Sequence, residues 1–328
     1  HPRVRRQRQM CIRDRHTACI PLLFIEEPES HMHPQMQHTF AGYLQTFLAK
    51  ISDVHIQTFL TSHSAHIANT IDFSNIRYAQ KTKKGVVYKN LGSFGKEDSA
   101  NMDFIKKYLT LSRCDLFFAD KVILVEGASE RLLIPDMIEK CDKAGLFAPI
   151  KYKLPTQYYA LIEIGGAYAY KFIPFIRFLG IPCLIITDID AMKDGRTKSI
   201  VSKGKTTSNS TIKWWFREIN GLPSSDKSTI KLKDIIKLND DEKTIDKCHI
   251  EFQVKENGLC GRSLEEAIKN VNRDFYDLST SATEEDLEFT EKSKTDFALN
   301  LICNHPNYSI PQYLKNGLIW LNKQKVLV

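Results

Sequence analysis

Apolar residues occur in short runs set among polar stretches of helical length, and a regular alternation begins near residue 20. "IPLLFIE" predicts a strand over 20–26, the residues after Pro34 a helix over 34–50, and "VHIQTFL" a strand over 54–60. A short helix at 64–70 and two strands near 75–90 follow, with Gly85 in the turn of "KTKKGVVYKN". Helical material at 99–112 leads to a junction near 113–119. The alternation then restarts as strand 121–126, helix 129–142, strand 160–164, helix 168–179 and strand 182–188. Strands alternating with helices predict a mostly parallel sheet with both faces covered. Residues 192–232 read as a polar loop around one helix at "IKWWFREIN". The last hundred residues are mixed, with helices expected at 263–272, 293–303 and 311–323, and no internal repeat is present.

Composition changes this picture little. A chain of 328 residues is long enough for two domains with real cores. No apolar run approaches the ~20 residues of a membrane span. The basic N-terminus lacks the apolar stretch of a signal peptide. The eight cysteines form no CxxC pair and none has metal-ligand spacing to a histidine. Reduced, mostly buried thiols in a cytoplasmic protein are therefore expected. The net charge of +7 is concentrated at one end: the first fifteen residues hold six arginines and one aspartate. The remaining 40 basic and 38 acidic residues leave only +2. Residues 1–19 are expected to be a leader left by cloning or sequence assembly, with a nucleic-acid-binding tail as the alternative.

The first chemically pointed stretch is "PLLFIEEPESHMHP", an apolar strand that ends in Glu26 and Glu27 and runs into a helix. This resembles the Walker B position of P-loop ATPases, which implies that one acid holds magnesium through water and the next polarises the attacking water. "VHIQTFLTSHSAHI" is a second strand, ending in Ser62 and His63, where a histidine can reach the γ-phosphate side of a nucleotide. The alternative for Glu26, Glu27 and Glu29 is a helix cap. His31, His33 and His38 lack a fourth ligand at metal spacing and read as helix-entry residues. The two strands resemble the Walker B and histidine-loop half of an ABC-type ATPase head, as in RecF-, SMC- and OLD (overcoming lysogenization defect)-like proteins. The "EEPE…HP" wording is closest to OLD nucleases. Such a head also needs a G-x-x-x-x-G-K-[ST] loop, and Gly204-Lys205-Thr206 in "SIVSKGKTTSN" fails the pattern because Ser199 occupies the first glycine position. The chain is therefore expected to be the C-terminal portion of a longer protein, binding ATP only when the upstream ATPase half is supplied.

The second constellation gathers acids at the ends of strands. "KVILVEGASERLLIPDMI" places Glu126 at a strand end and Glu130 in the first helical turn. "IPCLIITDIDAM" ends in Asp188-x-Asp190, whose carboxylates would point the same way on an extended strand. "IEIGGAYAY" contributes Gly165-Gly166 for a tight turn over the same edge. Ligands bind such an edge in open α/β folds. Oxygen-only carboxylate ligands favour Mg²⁺ or Mn²⁺, one or two ions, and phosphoryl-transfer chemistry. The alternative for either acid alone is a solvated strand end.

This arrangement resembles the Toprim domain of topoisomerases, primases and OLD nucleases, and "VEGASE" resembles the OLD type. The resemblance implies Glu126, Glu130, Asp188 and Asp190 as metal ligands, with Glu265 of "GRSLEEAI" as a further one rather than Glu266. It implies Lys294 as the catalytic lysine beside Glu126 and Asp188, with Lys292 competing. Trp214 and Trp215 could stack on unpaired bases or fill an amphipathic helix. Lys193, Arg196, Lys198, Lys203 and Lys205 could track a DNA backbone or form a solvated loop.

The expected fold is thus α/β: the C-terminal half of an ABC-type P-loop ATPase domain over 20–115, then a Rossmann-like Toprim domain over 116–328 with helical insertions and a helical C-terminal extension. The resemblance implies a metal-dependent endonuclease acting on double-stranded DNA, regulated by its ATPase, in phage defence or repair. It further implies a homo-oligomer in the full-length protein and, for the Gabija type, a UvrD-like helicase partner, with no membrane. The rivals are a RecF/SMC-like DNA-binding module without nuclease activity, a primase or topoisomerase, and a non-enzymatic remnant.

Overall fold

The computed structural model describes residues 20–51, 56–97, 104–108, 114–165, 168–223, 226, 228–290 and 293–325. Residues 1–19, the expected leader, lie outside this set, as do Gly166, Lys292 and much of the helical stretch expected at 99–112.

β1 (Leu22–Glu26) and β2 (Gln57–Thr61) pair in parallel with Glu26 opposite Thr61. Between them runs α1 (Pro34–Ile51), which packs on α2 (Ala65–Thr70). β3 (Arg77–Thr82) and β4 (Gly85–Asn90) form the expected hairpin. Gly85 opens β4, opposite Thr82, rather than sitting within the turn; its φ of 126° is one that side-chain-bearing residues avoid. α3 (Leu91–Glu97) and a turn of helix at 104–108 lead to the second sheet.

That sheet has five strands, which cross it in the order 244–245, 248–251, 183–186, 121–125 and 159–163. β5 (Lys121–Val125), β6 (Tyr159–Glu163), β7 (Cys183–Ile186) and β11 (Cys248–Glu251) are parallel, and β10 (Thr244–Ile245) is antiparallel to β11 at one edge. β5 and β7 are buried at every position, as an apolar strand between two helical layers must be. Alternate residues serve opposite faces. Ile123, Val125, Leu184 and Ile186 face one core with α4 (Ala128–Lys143). Val122, Leu124, Cys183 and Ile185 face the other with α5 (Ile173–Leu179) and α6 (Ser210–Ile219). β8 (Ala191–Met192) and β9 (Thr206–Thr207) form a small antiparallel pair. α7 (Leu232–Ile235) sits against β9. α8 (Leu264–Val271), α9 (Lys294–Asn304) and α10 (Gln312–Lys323) complete the first of these cores.

The second core also takes Leu91, Phe94, Ile105 and Phe117 from the preceding segments, so the two parts share one apolar interior. Lys89 of the hairpin strengthens the join by donating to the Phe178 and Leu179 carbonyls at the end of α5, both at 2.7 Å.

Two expectations need correcting. Residues 248–251 form an interior strand, whereas the pattern suggested only mixed, mostly helical structure there. His249 and Glu251 disguise it: Glu251 is buried by pairing with Lys243 (2.7 Å) and His249 (3.2 Å). The strand expected at 182–188 ends at Ile186, so Asp188 and Asp190 lie beyond it and do not share a face through strand alternation. Asp190 has a left-handed backbone (φ 45°) and turns off toward β8. Trp215 is buried and donates to the Glu242 carbonyl (3.0 Å), which fits the packing alternative rather than base stacking. Of the described cysteines, Cys141, Cys183, Cys248 and Cys260 are buried free thiols and Cys303 is exposed.

Candidate functional site

At the ends of β1 and β2 the expected nucleotide-side residues come together. Glu27, at φ 40°, donates its backbone N–H to the Thr61 carbonyl (3.0 Å). Its carboxylate lies 3.4 Å from His63 Nε2. Glu26 is exposed beside them, opposite Thr61. Glu27 makes no side-chain capping bond, so the helix-cap alternative fails for it. Glu29, which the sequence offered only as a cap, accepts the backbone N–H of His63 and thereby holds the histidine loop. Ser64 then caps α2 by accepting from His66 and Ile67. The Gly204-Lys205-Thr206 stretch belongs to the β8–β9 pair and packs on Leu232, so it is no phosphate loop.

The acids of the second sheet gather around the ends of β5 and β7. Glu126 follows β5 directly. Its Oε1 accepts from the Thr187 hydroxyl, from Asn209 Nδ2 (2.8 Å) and from the Asp188 backbone (3.3 Å). Glu130 is buried in the first turn of α4. Asp188 is buried, and its Oδ1 accepts from Gln253 Nε2 (2.6 Å) and from the Leu264 backbone at the start of α8 (2.9 Å). Glu265, one residue into α8, is wholly buried; its Oε2 meets Lys294 Nζ at 2.9 Å, while Oε1 has no partner. Asp190 stands at the margin, 3.2 Å from Arg262. Glu266 instead accepts the Arg262 backbone N–H (2.8 Å), which separates its task from that of Glu265.

The electrostatics follow from that burial. Burial raises the Glu126 pKa against the opposing Thr187 and Asn209 hydrogen bonds, and Asp190 raises it further. Burial, assisted by Glu265 and Glu126, lifts Glu130 to about 7 despite the opposing Lys294. Asp188 is raised well above the ordinary carboxylate range by burial and then by Glu126 and Glu130. Asp190 is raised by burial, with Arg262 opposing. Burial alone would lower Lys294, but Asp188 and Glu265 outweigh it and hold the ammonium above its usual pKa. These shifts are what like charges confined together out of water must show.

Among the described residues no three of His, Cys, Asp or Glu converge as ligands of one ion. The donor set is nonetheless that of a hard divalent cation, and the unpaired Glu265 Oε1 is an oxygen such an ion would satisfy. The sequence reading missed Thr187, Asn209 and Gln253, the neutral groups that hold Glu126 and Asp188. Only Asn209 carried a signal, as an N-cap residue directly before the apolar-periodic "STIKWWF". Lys203 pairs with Glu285 (2.7 Å), which fits a solvated loop, whereas Lys198 acts on Asp190.

Known proteins resemble both parts of the chain. Residues 117–190 match the model of the overcoming lysogenization defect protein-like TOPRIM domain, and residues 4–68 that of an AAA ATPase domain. Endonuclease GajA of Bacillus cereus (strain HuB5-5) is 28% identical, with 93% of this chain aligned to 49% of that protein. The Old nuclease of Escherichia phage P2 is 24% identical, over 73% of this chain and 41% of its own length. The OLD nuclease of Thermus scotoductus is 25% identical, over 52% and 31%. The chain spans about half the length, or less, of these relatives.

Proposed function

We propose that this chain, an OLD-like Toprim domain preceded by part of an AAA ATPase domain, forms the cutting portion of a metal-dependent DNA endonuclease. The observation that carries the reading is the burial of Glu130, Asp188 and Glu265 beside half-buried Glu126 at one sheet edge, with Lys294 paired to Glu265. Glu126, Glu130, Asp188, Asp190 and Glu265 would hold one or two Mg²⁺ or Mn²⁺ ions. When bound, such an ion activates water and stabilises the departing oxygen. Hydrolysis joins a water oxygen to phosphorus and breaks the bond from phosphorus to one sugar oxygen. The water's protons end on the released sugar oxygen and in solvent. Lys294, half-exposed and held on Glu265, offers its ammonium to the phosphate as charge builds on it.

Glu26, Glu27 and His63 are assigned to the γ-phosphate side of a nucleotide site, acting once a phosphate-cradling loop is supplied. ATP then regulates cutting of double-stranded DNA in a homo-oligomer. The resemblance of the sequence to OLD proteins of the Gabija type extends this reading to phage defence beside a UvrD-like helicase. Co-expression of the protein with such a helicase, followed by plaque counts, tests that extension.

The nuclease reading is tested on supercoiled plasmid with Mg²⁺ or Mn²⁺. Nicking by the parent that vanishes in Glu126→Ala, Asp188→Ala and excess chelator is expected. A folded parent that binds DNA without nicking it, with or without the rest of the ATPase, refutes the reading in favour of a binding module.

A further inference from the structure

Asn209 ties the helix layer to the carboxylates. It is buried at 1% exposure and sits just ahead of α6. Its Oδ1 accepts from the backbone N–H groups of Thr211 (3.0 Å) and Ile212 (3.2 Å), closing the first turn of the helix. Its Nδ2 lies 2.8 Å from each of Glu126 Oε1, Thr187 Oγ1 and the Asp188 carbonyl, its two hydrogens shared among the three acceptors. The two ends cannot be exchanged. A flipped amide would turn its oxygen onto the Glu126 carboxylate and its NH₂ onto helix N–H groups, leaving donors facing donors and acceptors facing acceptors. The neighbouring chain is stitched down as well: Thr207 Oγ1 donates to the Ile189 carbonyl (2.6 Å) and accepts from the Asn209 backbone (2.9 Å).

The consequence for Glu126 is asymmetric. Among the described residues, each hydrogen bond to its carboxylate lands on Oε1, from Thr187, Asn209 and the Asp188 backbone. Neutral donors therefore fix one oxygen and the plane of the group, and Oε2 is the oxygen left for a ligand. Thr187 donates to Glu126 and accepts from Asn209, so the amide also sets the hydroxyl's direction.

We propose that Asn209 is a positioning residue for the metal-dependent reaction, using α6 as an anchor to present Glu126 Oε2 to the cation. The inference rests on the nuclease reading above. Its rival is that Asn209 merely caps α6. Serine and aspartate cap helices about as well as asparagine, but neither supplies an amide N–H to Glu126. Asn209→Ser therefore separates the two roles, with Asn209→Ala as the variant that loses both.

The experiment measures Mn²⁺ binding to the purified chain from the loss of the free-ion paramagnetic resonance signal, beside melting temperature and plasmid nicking. Asn209→Ser, which keeps the cap but leaves the buried acceptors of the amide unpaired, is expected to melt below the parent and above Asn209→Ala, to bind Mn²⁺ about 10–100-fold more weakly, and to regain nicking in excess Mn²⁺. A Ser variant with the parent's Mn²⁺ affinity and metal dependence overturns the inference. So does a Ser variant that loses affinity only in step with a melting loss as large as that of Asn209→Ala. If the parent nicks while the Ser variant is indifferent, the nuclease reading stands and this inference alone falls. A folded parent that neither binds Mn²⁺ nor nicks removes both.

Discussion

Glu130→Gln offers the sharpest test of the buried acids. Glu130 is 4% exposed, and burial with Glu265 and Glu126 lifts its pKa from 4.5 to about 7. A tenfold change in proton affinity is worth about 1.4 kcal/mol, so the charged form costs the folded state up to about 3 kcal/mol. The sign follows from proton binding. Below pH 4.5 the group is protonated in folded and unfolded chains alike, and the contribution is complete. Between pH 4.5 and 7 the folded chain holds the proton more tightly, so stability is lost as pH rises through the folded pKa. Glutamine keeps the shape and does not titrate. In chelator at pH 8 the variant is expected to be more stable by up to about 3 kcal/mol, the gain shrinking toward zero at pH 4.5. Glu126 and Asp188 titrate with Glu130, so relief of their repulsion adds to the same trend. Urea unfolding at half-unit steps from pH 5 to 8 reads the difference. Superimposable stability–pH curves for parent and variant would refute the argument that burial and like charge set this site.

Two further outcomes follow from groups outside the reacting edge. Lys121 is wholly buried, donates to the Leu321 (2.7 Å) and Asn322 (3.2 Å) carbonyls, and is lowered by burial to about 8. The unfolded chain holds that proton up to about pH 10.5, so the parent should gain up to about 3 kcal/mol between pH 8 and 10.5; Lys121→Met should lack the rise in urea titrations. A Cβ at Gly261 would meet the Ala267 backbone nitrogen at 2.6 Å and the Glu266 carbonyl carbon at 2.8 Å. Gly261→Ala should thus lower stability by about 1–3 kcal/mol and reduce nicking by displacing the start of α8, read by thermal melting and plasmid assay.

Legibility of the fold tracked how cleanly burial and residue type coincide. β7 is apolar throughout and β5 is apolar after Lys121, and the acids that follow both strands announced an edge where charge is required. β11 was hidden because its buried His249 and Glu251 look like surface residues until Lys243 is seen beside them. Glu126, Glu130 and Asp188 were legible from the strand–acid–helix order, yet the reason given for Asp190 was wrong. The chain leaves the strand two residues before Asp188, and a left-handed residue has no strand alternation to inherit. Glu265 and Lys294 came from family likeness, and their 2.9 Å pairing across 29 residues is a tertiary fact that local spacing does not encode. Gln253 was illegible for the same reason: a glutamine just after a polar strand carries no mark of the aspartate it holds 65 residues away.

What distinguishes the site from an ordinary buried polar network is which charges are left unanswered. Arg262 answers Asp190, and Lys294 answers one oxygen of Glu265. Among the described residues, Glu126, Glu130 and Asp188 have no ion-pair partner within 4.0 Å; Glu126 and Asp188 are held by Thr187, Asn209, Gln253 and backbone N–H groups. Neutral donors fix where a carboxylate points but do not cancel its charge, so orientation and neutralisation are divided between the protein and whatever enters. An incoming divalent cation would therefore gain twice, from the Glu126 and Asp188 carboxylates already held in place and from repulsion already present in the fold. The part of the stability recovered by Glu130→Gln that comes from like charge, rather than from burial, is energy that metal binding should also release in the parent. A divalent ion should consequently raise the melting temperature of the parent more than that of the variant.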